Sequence, residues 1–246
     1  MFSLNIFKSE LRNTKDRLEF DRRVGAFQKD IILNKHKLPT ISAVFRVKNA
    51  EAYLELSVFS IAPICSEIII VDNNSSDNTL ELCNKLQEKL KEVCEVKIYS
   101  YDRDLAIAGE DYSKYVNEFN SLSSYYTFAF SKATSDFVMK ADAHLIYTPS
   151  GLRKIQNKLR DGRRVVIFKG VELYGMKLSF ERYVFKNDSS FRYVDGDFYE
   201  ELRFNYKLSK WEQIRSTIIT PCFIHFKRVR YVSNLGDVNL VKSLYR

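Results

Sequence analysis

Hydrophobic and polar positions change their spacing along the chain. Over residues 1–38 the apolar side chains Leu11, Leu18, Phe20, Val24, Phe27, Ile31 and Ile32 recur at helix-like intervals among charges. This predicts one or two amphipathic helices outside the main fold, ending before Pro39. From Pro39 the pattern becomes strand then helix. Residues 40–47 alternate, with Ile41, Ala43, Phe45 and Val47 on one face, and residues 50–61 read as a helix. Residues 67–71 are a short β-branched run ending at Asp72, the mark of a buried parallel strand. Leu82, Leu86 and Leu90, at i, i+4 and i+8, predict an amphipathic helix over 78–93 that Ser76 or Asp77 can cap. A strand over 96–101, a helix over 122–132 and a strand over 136–141, ending at Asp142, complete this half.

After Pro149 the spacing predicts a basic helix over 151–160 and strands over 165–168, 171–174 and 177–185. A helix over 204–214 and a final strand over 218–226 follow. Strand–helix–strand order implies an open α/β sheet that is mostly parallel, whose ligands bind beyond the carboxyl ends of its strands. Asp72 and Asp142 both stand at such ends, where packing explains a carboxylate poorly. The expected organisation is an N-terminal helical extension over 1–38 and one domain over 39–246. Glycine-rich GxGxxG and Walker-type loops are absent from the sequence.

Composition narrows the class. With 246 residues, 45% hydrophobic and 14% aromatic, the chain can bury a core without cross-links and does not read as disordered. Cys65, Cys83, Cys94 and Cys222 form no CxxC pair and read as reduced, structural cysteines. No apolar run approaches the ~18–20 residues of a membrane-spanning helix, and Lys8 and Glu10 interrupt the start. The expected location is therefore cytoplasmic, with peripheral placement at the inner face of the cell membrane as an extension of it. Net charge is +8, unevenly placed: residues 1–150 hold 19 Lys and Arg against 21 Asp and Glu, residues 151–246 hold 20 against 10. A basic half suits nucleic acid, an anionic membrane or a phosphate-bearing small molecule, and charge alone does not choose.

The chemistry is carried by few residues. Asp142-Ala143-His144 closes the strand over 136–141, and two ligands two residues apart at a strand end can reach one divalent ion. Mn²⁺ tolerates an imidazole among oxygens. Of the three histidines, His36 reads as a solvated linker residue. His225 sits between two phenylalanines, as a core histidine would, yet precedes Lys227, Arg228 and Arg230, which suit a phosphate.

Three segments carry a resemblance. PTISAVFRVKN (39–49) looks like the opening strand of family 2 glycosyltransferases, EIIIVDNNSSDNT (67–79) resembles their VDxxSxDxT segment, and SDFVMKADAH (135–144) is similar to their GDYxxxxDxD segment with His144 replacing the second Asp. The resemblance implies a GT-A fold with a nucleotide-binding half over 39–149 and an acceptor-binding half over 150–246. It also implies a nucleotide-sugar donor, a UDP-sugar above others, and a divalent metal, Mn²⁺ or Mg²⁺. By position, Asp72 would accept a hydrogen bond from the donor base, with Phe45 and Val47 beside that base and Arg46 near it. Asp77 would be structural. Asp142 would hold ribose or metal, His144 the metal, and His225 would be a further ligand, with Lys227 and Arg228 near the leaving diphosphate. The family's Arg-Asn pair before the DxD strand is Tyr126-Thr127 here.

Inverting members of the family carry an acidic pair about two dozen residues before the late histidine. Glu200-Glu201 fits, with Glu201 24 residues before His225. A neighbouring charge raises a carboxylate's pKa toward the working range of a base, which favours Glu201 with Glu200 adjacent. A solvated helix start would also place acidic residues there, and Asp195 and Asp197 are the rival carboxylates. The expected activity is metal-dependent, inverting transfer of a sugar to a glycan or lipid-linked acceptor in cell-surface polysaccharide assembly. A nucleotidyltransferase, a nucleic-acid-binding protein and a non-catalytic sugar-binding protein are the alternatives. Asp72 and Asp142 speak against nucleic acid, because they would repel a phosphate chain.

Overall fold

The computed structural model describes residues 35–172 and 178–227, together with 22, 25–26 and 29–32. Strands β1 (Ile41–Val47), β2 (Glu67–Asp72), β3 (Glu95–Ser100), β4 (Phe137–Ala141), β6 (Val165–Phe168) and β8 (Glu181–Lys186) form the main sheet in the order β3-β2-β1-β4-β8-β6. The first four are parallel; β8 runs antiparallel to both β4 and β6. Strand order reverses at β1, with β2 on one side and β4, reached later in the chain, on the other. Such a switch point opens a crevice at the carboxyl ends of the strands. A second sheet, β5 (Leu145–Tyr147), β11 (Phe223–His225) and β7 (Val171–Glu172), stands beside that crevice.

Alternation along β1 divides the core in two. Ile41, Ala43, Phe45 and Val47 join helices α1 (Leu54–Ile61), α2 (Thr79–Leu90) and α5 (Pro149–Arg160) in one apolar cluster, through Val58, Leu86 and Ile155 among others. Val44 faces the opposite cluster, built on α4 (Leu122–Phe130) with Tyr125, Ala129 and Phe130 and on Tyr193 of β9 (Phe191–Asp195). The described part of the N-terminal extension touches the first cluster. Ile31 is buried there, its carbonyl accepting from Gln156, while Lys35 donates to the carbonyls of Cys65 and Val93. All four cysteines are free and buried.

Several sequence expectations shift. The helix expected over 204–214 begins only at Lys210, as α6 (Lys210–Ser216), where Ser209 and Glu212 form a capping box. Residues before it form instead β10 (Glu200–Phe204), hairpin partner of β9, which the apolar pattern did not reveal. Helix α1 starts at Leu54 rather than residue 50, and the final strand is confined to three residues. The short α3 (Tyr112–Tyr115) lies in the long connection between β3 and α4.

Candidate active site

Register builds the centre of the crevice. In the β1–β4 ladder Phe45 pairs with Ala141, so the next residues, Arg46 and Asp142, emerge side by side on one sheet face. Arg46 Nη2 donates to Asp142 Oδ1 at 2.6 Å and to the Ala141 carbonyl at 3.3 Å. The Arg46 side chain is 3% exposed; that of Asp142 is 29% exposed and open to the crevice. Beneath the guanidinium lies the Tyr126 ring, 4.1 Å from Cζ to centroid. Burial alone would raise the Asp142 pKa, but Arg46 and then His144 hold it down to about 2. The carboxylate is thus ionised at any ordinary pH.

The small sheet brings the two histidines together. His144 opens the turn into β5, β11 pairs with β5 so that His225 opposes Leu145, and the Phe226 amide donates to the His144 carbonyl at 2.9 Å. The imidazoles meet edge to face with centroids 4.6 Å apart. Burial is the main cause that lowers the His144 pKa to about 4, aided by His225 and Lys227, so its ring is neutral with a lone pair to offer. On the far side, β7 sets Glu172 in register with His225, and its carboxylate pairs with His225 Nδ1. A carboxylate on one ring nitrogen orients the other, the arrangement seen behind metal-ligating histidines. Sequence reasoning missed Glu172, because only the parallel β7–β11 ladder relates positions 53 residues apart. Lys227 is described beside His144; Arg228 lies outside the described residues.

Asp72 ends β2 with 2% exposure, and its carboxylate accepts from the Ser75 amide at 3.0 Å and from the Ser75 hydroxyl. The Ser75 hydroxyl also accepts from the Asn49 amide, and Asn49 Oδ1 accepts from the Ser76 amide, bolting together the loops after β1 and β2. Asn49 and Asn74 take positive φ of 52° and 50°, which asparagine tolerates better than most residues. Asp77 accepts from the amides of Thr79 and Glu51, fastening the start of α2 as its structural reading implies. Asn73, not singled out from sequence, donates to the carbonyls of Tyr101 and Arg103 and fixes the β3 exit.

Two expectations need correction. Phe45 is 0% exposed and packs in the core beneath the sheet, so its ring has no surface to offer a base. Val47, in register with Asp72, is likewise buried at 3%. The acidic pair is also split. Glu200 and Glu201 are consecutive strand residues and therefore face opposite ways. Glu201 is exposed and ion-paired with Arg203 at 2.9 Å. Glu200 turns inward to the Tyr126 hydroxyl, and burial raises its pKa against the pull of Tyr126, Arg46 and Lys140. The rival Asp195 is occupied, accepting from Tyr112, from Ser121 Oγ at 2.7 Å and from the Ser123 amide at 3.0 Å, so it clamps the hairpin to α4.

No three His, Cys, Asp or Glu side chains among the described residues are gathered closely enough to enclose an ion. The donor chemistry of Asp142, His144 and His225 nevertheless fits a borderline divalent cation: an ionised carboxylate, a neutral imidazole, and a second imidazole oriented by Glu172.

A mostly parallel sheet whose strand order reverses at β1, with a second small sheet beside that switch point, matches a GT-A fold. TarS (residues 1–349) of S. aureus superposes with a TM-score of 0.51 at 12% identity, covering 79% of this chain and 62% of that one. Glucosyl-3-phosphoglycerate synthase of Mycobacterium tuberculosis, in complex with Mn²⁺, UDP and glucosyl-3-phosphoglycerate, aligns at 19% identity over 59% of this chain and 48% of that one, with a TM-score of 0.40. The chain thus spans less than two thirds of either protein. No curated protein matches it. The glycosyl transferase family 2 model matches residues 42–231, and the chain belongs to that family.

Proposed function

We propose that the protein transfers a sugar from a nucleotide-sugar, a UDP-sugar, to a hydroxyl of a glycan or lipid-linked acceptor, with inversion, in cell-surface polysaccharide assembly at the cytoplasmic side. The observation that carries this reading is the contact of the His144 and His225 rings beside the switch point, with the ionised Asp142 two residues from His144 and with Arg46 and the inward-facing Glu200 close by. Asp72, 2% exposed and held by Ser75, would meet the donor base at the neighbouring strand end once the Ser75 hydroxyl turns aside. Mn²⁺ or Mg²⁺ would be held by Asp142, His144 and His225, where it would neutralise charge on the diphosphate. Arg46 holds Asp142 ionised and correctly aimed, and Lys227 adds positive charge near the diphosphate.

Glu200, not Glu201, is the base in this reading. The acceptor hydroxyl passes its proton to Glu200 while its oxygen attacks the anomeric carbon. The bond from that carbon to the diphosphate oxygen breaks, and the electron pair leaves with the nucleoside diphosphate. A carboxylate whose pKa is raised by burial is a better proton acceptor than an ordinary one, and base catalysis contributes roughly 10²–10⁴-fold. Glu200→Gln should lower kcat for sugar transfer by at least ~100-fold with donor affinity nearly unchanged. Glu201→Gln should stay within about twofold of the parent, as expected for an exposed ion pair. In the parent, kcat/KM should fall on the acid side of a midpoint above the ordinary carboxylate range, since Glu200 must be ionised to act. Equal loss in both variants, or full activity of Glu200→Gln, returns the base to another residue.

A further inference from the structure

The basic half of the chain presents one surface that the donor site does not use. Every residue of α6 from Lys210 to Arg215 is exposed, an unusual state for a seven-residue helix that carries large apolar side chains. Trp211 is 76% exposed and Ile214, one turn on, 63%; Ile219, just past the helix, is 78% exposed. Their spacing sets Trp211 and Ile214 on one helix face. The helix does not depend on burying that face. Its capping box and its C-terminal attachment hold it, through a bridge from Thr217 to Ile167 of β6 and through Lys158 of α5, which donates to the Arg215 carbonyl.

Positive charge surrounds the apolar face. Lys207, Lys210 and Arg215 lie on or before α6, and Lys154 and Lys158 reach it from α5, where Lys154 donates to Thr220 at 2.6 Å. Glu212 is the acidic residue of α6, and it is turned back to the Ser209 amide by the capping box. An exposed Trp and two isoleucines ringed by cations match a surface that is apolar just below a layer of negative charge. Aromatic and aliphatic side chains enter the headgroup boundary while Lys and Arg meet anionic lipid. A protein partner core is usually poor in lysine, whereas this face is rich in it.

We propose that α6 and the segment after it, with Trp211, Ile214 and Ile219 as insertion points, form a docking surface for an anionic lipid bilayer. The segment carrying Ile219 continues within six residues to His225, so docking there places the crevice at the membrane, where a lipid-linked acceptor would be met. That last consequence rests on the proposed activity; the docking itself does not.

Trp211 is the chain's single tryptophan and reports directly on the surface. With the full chain and vesicles of phosphatidylcholine containing 30% phosphatidylglycerol, its emission should move to shorter wavelength and be quenched by brominated acyl chains. Pure phosphatidylcholine vesicles should give at least tenfold weaker partitioning, and added salt should weaken binding to the anionic ones. The double variant Lys207→Glu with Lys210→Glu, and separately Ile214→Ser, should each lower co-sedimentation by at least about fivefold. Both should keep the parent's thermal shift with UDP, which separates failure of the surface from failure of the donor site. Trp211 emission indifferent to anionic vesicles, or equal partitioning into neutral ones, overturns the proposal. So does a blue shift that follows protein concentration without lipid, which would assign the face to a second copy of the chain.

Discussion

Arg46 illustrates how much a single side chain decides here. A strand residue on β1 would ordinarily be apolar, yet this one places a charge in a site that is 3% exposed. Its Nη2 is committed to Asp142, while Nε and Nη1 have no hydrogen-bond partner among the described residues. Such a pair is maintained for arrangement rather than net stability, because desolvation offsets most of the attraction. Arg46→Met should therefore cost about 3 kcal/mol, the low end for breaking a buried pair, because Asp142 keeps an open side. Adding Asp142→Asn should recover about 1 kcal/mol or more, read as a coupling in a denaturant-unfolding cycle. Independent, additive losses would show that the two charges do not stabilise one another. Tyr126 belongs to the same argument: the family's Arg-Asn pair is missing, and the guanidinium at Asp142 arrives from β1 over the Tyr126 ring instead.

At the scale of elements, the end of the sheet opposite the site is stapled by Glu67 at the start of β2. Its carboxylate accepts from Ser42 of β1, from the Thr134 amide at 2.6 Å before β4, and from Lys97 of β3 at 2.6 Å. Burial opposes the charge, but Lys97 followed by Ser42 and Thr134 brings the pKa down to about 2. A carboxylate lowered on folding stabilises the native state above its unfolded value and loses that contribution as pH falls from about 4.5 toward 2. Stability should drop by roughly 2–3 kcal/mol across that window in urea titrations, and Glu67→Gln should flatten the drop while being less stable at pH 7. Another close contact joins α5 to the histidine strand. A Cβ on Gly151 would stand 2.4 Å from the Cys222 carbonyl oxygen, a backbone atom that cannot rotate aside. Gly151→Ala should cost about 1–3 kcal/mol and shift the segment leading to His225. Histidine chemical shifts should register that displacement, and an unperturbed His225 with parental stability would show that the contact relaxes freely.

For the whole molecule, the proposed donor site joins loops after β1, β2 and β4 with a strand from the last fifth of the chain. Ligand binding should therefore stabilise the fold globally. UDP at 100 times its Kd should contribute ~2.7 kcal/mol, visible as a raised Tm, and Mn²⁺ should enlarge that shift. EDTA should abolish the metal-dependent part, and in His144→Ala Mn²⁺ should add nothing. A UDP shift indifferent to Mn²⁺ would remove the metal from Asp142, His144 and His225. Loss of the UDP shift in Asp72→Ala, with the apo Tm near the parent's, would place the base where the strand end puts it.

Much of the parallel half was legible from sequence because its signals are local. The β-branched run ending at Asp72, the leucine stripe of α2 and the turn residues of VDNNSSDNT each dictate structure within a few positions. The place of Asp142 and His144 in the turn after β4 was legible for the same reason, since that strand's end is set locally. Which carboxylate of the acidic pair turns inward was not. Glu200 and Glu201 are chemically alike, and residues 200–204 carry a pattern as compatible with a helix start as with a strand. Only pairing with β9 makes the segment extended and turns one Glu inward and its neighbour out. Glu172 and Tyr126 escaped likewise, each defined by a neighbour far away in sequence. Local pattern determined the four parallel strands and the main helices of residues 39–149 and which strand ends carry charge, but not the short helix over 112–115 or the strand over 145–147. The non-local ladders β1–β4 and β7–β11, with the β9–β10 hairpin, decided which side chains meet, because register, with its period of two, sets the face each residue presents.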